Sequence, residues 1–342
     1  MSHDTTLKED DGAFIAESRT ARDKVQRLLR ARDSSIALAA IILVLLFSVT
    51  SGGQFLHAGI WPSILSSTAE LGIVSIGVAV LMIGGDFDLS VGANFSFAAL
   101  VMASLIAHGV SGLLGLAVAL SIGLAIGFLN GMITVYLAIP SFVATLGTWL
   151  VWVGVTLVVT GGSTVTVLRQ SRVLNALGGS VFGAGIRWEV IWWILLGAVM
   201  AVVLHRTAFG NAIFAIGGRS QAAREAGIPV RRVRVLNFMI CGLCSAAAGA
   251  VQLGHLQSMA SSYGDYYQLY SIAAAVVGGT VLTGGRGSVF GTMLGALILS
   301  MLDAGLILSG VSTFWYQAVV GIIVILAVAM HTRLGRTARG GD

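Results

Sequence analysis

Charge is what this 342-residue chain has least of: 10% of its residues are Asp, Glu, Lys or Arg, against 56% hydrophobic. Soluble domains carry about 25% charged residues. The sequence therefore excludes a water-soluble globule, and a mean hydropathy of +0.91 points to lipid as its solvent. Proline is scarce (3 residues), and cysteine is limited to Cys241 and Cys244 within the apolar stretch FMICGLCSAAAGA. With no second pair to complete a metal site, helix packing is their expected role. No glycine-rich stretch ends in Lys-Ser/Thr, so the chain has no phosphate-cradling loop and does not hydrolyse ATP itself. HExxH and GxSxG sequences are missing, and no paired intramembrane His/Glu cluster is legible, which argues against a membrane-embedded enzyme. No catalytic or metal-ligating residue is assigned. The net charge of +5 is no sign of nucleic-acid binding, because the basic residues flank apolar runs.

What the chain has in abundance is apolar sequence rich in glycine (45 residues). Small residues let helix backbones approach closely, which is how helices associate when lipid surrounds them. About 20 apolar residues cross a bilayer as a helix. The runs predict an all-α, polytopic membrane bundle of about ten spans, near 35–51, 63–83, 93–108, 112–133, 141–160, 188–204, 234–255, 269–284, 288–307 and 311–330, several broken by glycine. No cleavable signal peptide is expected, because a long polar tail precedes the first span.

Residues 1–34 (Lys8, Arg19, Arg22, Lys24, Arg27, Arg30, Arg32), 205–233 with Arg234 (Arg206, Arg219, Arg224, Arg231, Arg232) and 331–342 (Arg333, Arg336, Arg339) hold sixteen of the 20 basic residues. With ten spans all three segments share one side, assigned to the cytoplasm together with both termini. The domain reading is thus a tail over 1–34, a transmembrane unit over 35–330 and a second tail over 331–342. Segment 161–187 then faces outward. Within 14–32, Ile15, Val25, Leu28 and Leu29 share a helical face, consistent either with an interfacial helix or with a disordered tail.

Three segments carry chemistry. Gly84–Gly92 (GGDFDLSVG) places Asp86 and Asp88 in apolar surroundings. An ionised Asp at the bilayer centre costs about 2.5–3.5 kcal/mol, so both should avoid lipid, either capping the next helix with Ser90 or lining a pathway or gate. The stretch GGTVLTGGRGSV over 278–289 repeats the pattern of apolar helix, GG, charge and Ser-Val, an echo of one broken-helix unit. The third segment is read as a cytoplasmic loop in which Ser220 caps a short helix, Gln221–Ala226. Gly227 stops that helix and Pro229 bars its continuation. Ala222 and Ala223 would give it a small face able to plug a cleft on another protein; the alternative is an ordinary solvated basic loop.

These segments carry a resemblance. GGDFDLSVG, Asn130-Gly131 with Ile139–Thr148 (IPSFVATLGT), HRTAFGNAIFAIGGRSQAAREAGIPV and AAAVVGGTVLTGGRGSVFGTMLGALIL resemble, in order, the motifs of the ribose-type permeases of ATP-binding-cassette sugar importers. The resemblance spans residues 36–330. Asn211 and Arg219 depart from it, standing where the family pattern has Arg and Asn. It implies a permease paired with a second copy in the bacterial inner membrane, two cytosolic ATPase subunits holding ATP–Mg, and an extracytoplasmic solute-binding protein. No cofactor is expected in this chain itself. Asp86, Asp88, Ser90, Asn94, Asn130, Phe142 and Thr145 become candidates for the pathway or gate, with Ser96 and Ser141 as further small polar groups. Arg219, Ser220, Gln221, Ala222, Ala223, Arg224, Gly227 and Ile228 become candidates for ATPase coupling. A nucleoside or a branched-chain amino acid is the alternative solute. An ion-coupled carrier using Asp86 and Asp88 is the alternative mechanism, although such a carrier would not need the capped helix.

Overall fold

The computed structural model describes residues 32–169, 171–181 and 185–337. Twelve helices follow in order: α1 (Arg32–Thr50), α2 (Trp61–Ile83), α3 (Val91–Ala107), α4 (Gly112–Tyr136), α5 (Ser141–Thr160), α6 (Arg172–Gly178), α7 (Trp188–Arg206), α8 (Ala208–Glu225), α9 (Val230–Leu256), α10 (Tyr267–Val277), α11 (Val289–Leu308) and α12 (Phe314–Thr337). Two-residue strands, β1 (Val165–Thr166) and β2 (Ser258–Met259), pair antiparallel. The tail through residue 31, with the interfacial helix considered for it, lies outside the described residues. The C-terminal tail expected from residue 331 begins instead as the last turns of α12.

Six helices, α2, α4, α5, α7, α9 and α11, are long and apolar enough to span a membrane, and α1, α3 and α12 carry shorter apolar stretches. The expected span at 269–284 is corrected. α10 has 11 residues and ends at Val277, giving it a length of about 16 Å, half the hydrocarbon core. The apolar run continues past Val277 in the sequence, but Gly278-Gly279 ends the helix. The count of ten is therefore not confirmed.

α2 is apolar on every side and is the central helix, buried along almost all its length. α9, α11, α10 and α7 pack on it. Cys241 and Cys244 are free and buried, and they lie against Gly77 of α2, where a β-carbon would come within 2.8 Å of Cys244 Cβ. On α4, Gly123, Gly127 and Gly131 recur every fourth residue and bring its backbone against Gly242, Phe238 and Val235 of α9, a small-residue seam of the kind used in lipid. Outer helices leave Leu45, Leu150, Val158 and Ile325 exposed, an apolar belt suited to lipid or a second apolar chain.

Between β2 and α10 the chain makes a short 3-10 turn, Ser261–Gly264, whose Gly264 is buried against α3: Gly264 N–H donates to Ser96 Oγ (2.8 Å), and Phe95 stacks on Tyr267 at the start of α10 with centroids 4.6 Å apart.

Candidate functional site

Both glycine breaks close their helices in the same way. Gly84 and Gly278 are the C-caps and keep negative φ (−71° and −67°), while Gly85 (φ 88°) and Gly279 (φ 87°) turn left-handed. Gly85 N–H donates to Met82 O and Asp86 N–H to Leu81 O; Gly279 N–H donates to Val276 O and Thr280 N–H to Ala275 O. Each is a Schellman ending, in which a left-handed residue lets two N–H groups fold back onto orphan helix carbonyls. The echo seen between the two sequences is thus a shared backbone device.

The first break, 84–90, is braced from three sides. Ser141 Oγ accepts from Phe87 N–H (3.1 Å) and Thr145 Oγ1 from Leu89 N–H (3.0 Å), so the start of α5 satisfies backbone donors that no helix can. Asp88 accepts from Ser90 N–H (2.8 Å), Ser90 Oγ (2.7 Å) and Asn130 Nδ2 (3.2 and 3.3 Å). Asn130 also donates to Ser90 Oγ (2.7 Å). All three side chains are buried in one network. Asn94 donates to Gly242 O (3.0 Å), and the hydroxyl of Ser245 donates to Val91 O. Asp86 is held by a fork: Arg234 Nε reaches Oδ2 (2.8 Å) and its Nη2 reaches Oδ1 (2.6 Å). Such two-pronged pairs combine charge with geometry.

α8 lies against both breaks. Residues 205–230, expected as a loop with one short helix, form a helix that begins after Thr207, whose Oγ1 caps it by accepting from Gly210 N–H (3.2 Å). The helix is kinked at Arg219 (φ −157°, ψ 92°). The extended residue before the second piece is therefore Arg219 rather than Ser220, which is already helical, so the expected Ser220 cap is corrected. Gly227 (φ 83°) ends the piece as expected, with Gly227 N–H to Arg224 O and Ile228 N–H to Ala223 O, both 3.0 Å.

Just before the kink, Gly217 sits over the end of α2. A β-carbon there would overlap the Ile83 carbonyl and come within 2.5 Å of Gly285 N. Gly285 N–H itself donates to Ile83 O (2.8 Å). Gly284, also left-handed (φ 81°), faces Gly85 and Gly217. The kinked helix and both breaks thus meet backbone to backbone, around a shallow cleft of about 310 Å³ lined by Gly84, Gly85, Ile216, Gly217, Ser220, Arg234 and Thr283.

Among the pathway candidates, Asp86, Asp88, Ser90, Asn94, Asn130 and Thr145 are buried, and only Phe142 is exposed, at 54%. Among the coupling candidates, Arg219, Ser220, Gln221, Ala222, Arg224 and Gly227 are exposed and Ile228 is half-buried, but Ala223 is buried at 4%. The expected two-alanine face is corrected, because Ala223 packs inward in the same core as Ile228. Sequence reading missed Arg234 and Gly217. The signal for Arg234 was available, since it is the last basic residue before the apolar run of α9 and a buried Asp needs a cation. The expectation of no intramembrane His/Glu cluster is also overturned: Glu70 of α2, Glu189 of α7 and His255 of α9 converge, with ligand atoms within 4.8 Å of one another.

Residues 61–328 match the family described as branched-chain amino acid transport system / permease component. The chain is 38% identical to the ribose import permease of Bacillus subtilis (strain 168), over 86% of this chain and 91% of that protein. It is 36% identical to a probable ABC transporter permease of Escherichia coli (strain K12), over 88% and 90%. It is 30% identical to the fructose import permease of Rhizobium meliloti, over 96% and 93%. No solved structure matches. A family match over most of the chain, with near full-length relatives and the apolar helices that a permease requires, places this protein in the branched-chain amino acid transport system / permease component family of membrane permeases.

Proposed function

We propose that the chain is the membrane-spanning subunit of an ATP-driven importer for a sugar or polyol, working as a pair with a second permease. The observation that carries this reading is the junction of Gly217 with both glycine breaks. The ribose and fructose import permeases among its relatives favour the sugar class over an amino acid or nucleoside. Neutral polyols need hydrogen-bond partners but no fixed charge along the path. Asp86 and Asp88 already have partners, which leaves them poorly suited to carrying ions.

In this mechanism cytosolic ATPase subunits, which hold ATP–Mg, press on the exposed face of Arg219, Ser220, Gln221, Ala222 and Arg224. The kink at Arg219 separates that face from the part of α8 resting on the breaks. A tilt of α8 then shifts both breaks together, a rigid-body switch between two packings. The Asp88–Ser90–Asn130 network and the Arg234–Asp86 fork keep the first break stiff, so motion is passed on rather than absorbed. The path runs between the two copies, where exposed residues such as Phe142 face it. Ten crossings are proposed, nine from the apolar helices and one from α10 together with the short turn before it. The Lys/Arg bias puts α8 and both termini in the cytoplasm, and an extracytoplasmic binding protein delivers the solute at the opposite end.

Ala222→Glu tests the docking face. Because Ala222 is exposed, permease yield should be unchanged, as surface substitutions alter stability by no more than about 0.5 kcal/mol. ATPase recovered by co-purification should fall about tenfold, equivalent to about 1.4 kcal/mol. Unchanged recovery of the ATPase would remove the docking role.

A further inference from the structure

We propose that Glu70, Glu189 and His255 form a binding site for a divalent transition-metal ion of the zinc class, stapling α2, α7 and α9 together at the end of the bundle away from α8. The three residues are far apart in sequence and come from three different helices, so only the fold assembles them. His255 Nδ1 lies 3.0 Å from Glu70 Oε1 and 3.5 Å from Glu189 Oε2. Zinc binds imidazole nitrogen and carboxylate oxygen at about 2.0–2.2 Å, which sets the edge of a tetrahedral site near 3.3 Å. These two separations bracket that edge, and all three ligand atoms lie within 4.8 Å of one another.

The hydrogen bonds around the cluster are unevenly shared. Glu70 receives Gln252 Nε2 (3.1 Å) and has the closer approach of His255. Glu189 is completely buried, and neither of its oxygens accepts a hydrogen bond. The Ser66 hydroxyl is the polar group that faces Glu189 from its own side. The nearby Arg187 gives Nη1 to Gly178 O at 2.7 Å and reaches Glu189 only through its charge. One imidazole proton cannot serve both carboxylates, and two adjacent buried carboxylates repel. A divalent ion bonded to both, with neutral His255 as third ligand, supplies the missing partner for Glu189 and balances both charges. His255 keeps a quarter of its side chain exposed, which gives an ion a way in and leaves a coordination position open. Imidazole with carboxylates suits zinc, cobalt or nickel better than calcium or magnesium.

Cobalt(II) added to the metal-stripped, full-length permease in detergent reads the site without any mutation. The expected result is the visible absorption of a low-symmetry, four- or five-coordinate ion at one cobalt per chain, displaced by zinc. Zinc should also raise the thermal midpoint of the wild-type protein. Glu189→Gln and His255→Asn should each weaken zinc binding, followed by equilibrium dialysis and elemental analysis, by about tenfold or more. Cobalt spectra of a purely aquated, six-coordinate ion would overturn the proposal. So would zinc binding that is unchanged in both variants, because the ion would then sit elsewhere. A wild-type thermal midpoint that zinc leaves unmoved would also overturn it, since the carboxylate pair would then simply share a proton.

Discussion

Arg234→Ala should leave little folded permease to purify. The guanidinium is the sole cation on the buried Asp86 carboxylate among the described residues, and it holds both oxygens. Removing one partner of a buried pair strands the other charge, at a cost of about 3–5 kcal/mol. Native stabilities are only about 5–15 kcal/mol in total. The measurement is the thermal midpoint by size-exclusion chromatography in detergent. Arg234→Lys should fall between wild type and alanine, because an ammonium keeps the charge but cannot form the fork. Replacing both residues with neutral amides, Asp86→Asn with Arg234→Gln, should recover much of the loss. If Arg234→Ala eluted and melted like wild type, Asp86 would not depend on this pair and the stiffness ascribed to the break would have another source.

Gly217→Val should produce the second large effect, of a different kind. A β-carbon there meets backbone atoms of α2 and of the second break, and backbone cannot swing aside as the end of a side chain can. Overpacking of this sort costs about 1–3 kcal/mol. That is enough to shift the resting position of α8 by about one to two orders of magnitude in population. The face that meets the ATPase lies beyond the kink and is untouched. Solute uptake in liposomes holding the whole importer should therefore fall about tenfold or more, while ATPase co-purifies as before. Gly218→Ala, at a neighbouring exposed glycine with open space around it, is the control and should change uptake little. Loss of ATPase binding in Gly217→Val would mean that the residue shapes the docking surface and does not transmit its movement.

The sequence revealed the elements better than their ends. Long apolar runs marked the spanning helices because lipid demands such runs and nothing else in the chain imitates them. The end of α10 was hidden because Val276 and Val277 are followed by GGTVL, so hydropathy stays high while a left-handed Gly279 has already stopped the helix. α8 looked like a loop because its glycines and arginines lower its apolar content, yet a single hydroxyl at Thr207 starts it. The inward turn of Ala223 was not legible, since an alanine suits a core and a docking face equally. Asp86 and Asp88 stood out as costly charges in lipid, but their partners, Arg234 and Asn130, are 148 and 42 residues away. The same distance along the chain hid the Glu70–Glu189–His255 cluster, because only the packing of α2, α7 and α9 brings these residues together.

The sidedness of α8 is the most direct test of the coupling mechanism. A cysteine placed at exposed Gln221 reports it cleanly, because the native Cys241 and Cys244 are buried and silent. A membrane-impermeant maleimide should leave Gln221→Cys unlabelled in intact cells and label it in inverted vesicles, with the label blocked once the ATPase is seated. Labelling from outside intact cells, or labelling indifferent to a bound ATPase, would contradict transmission through this helix.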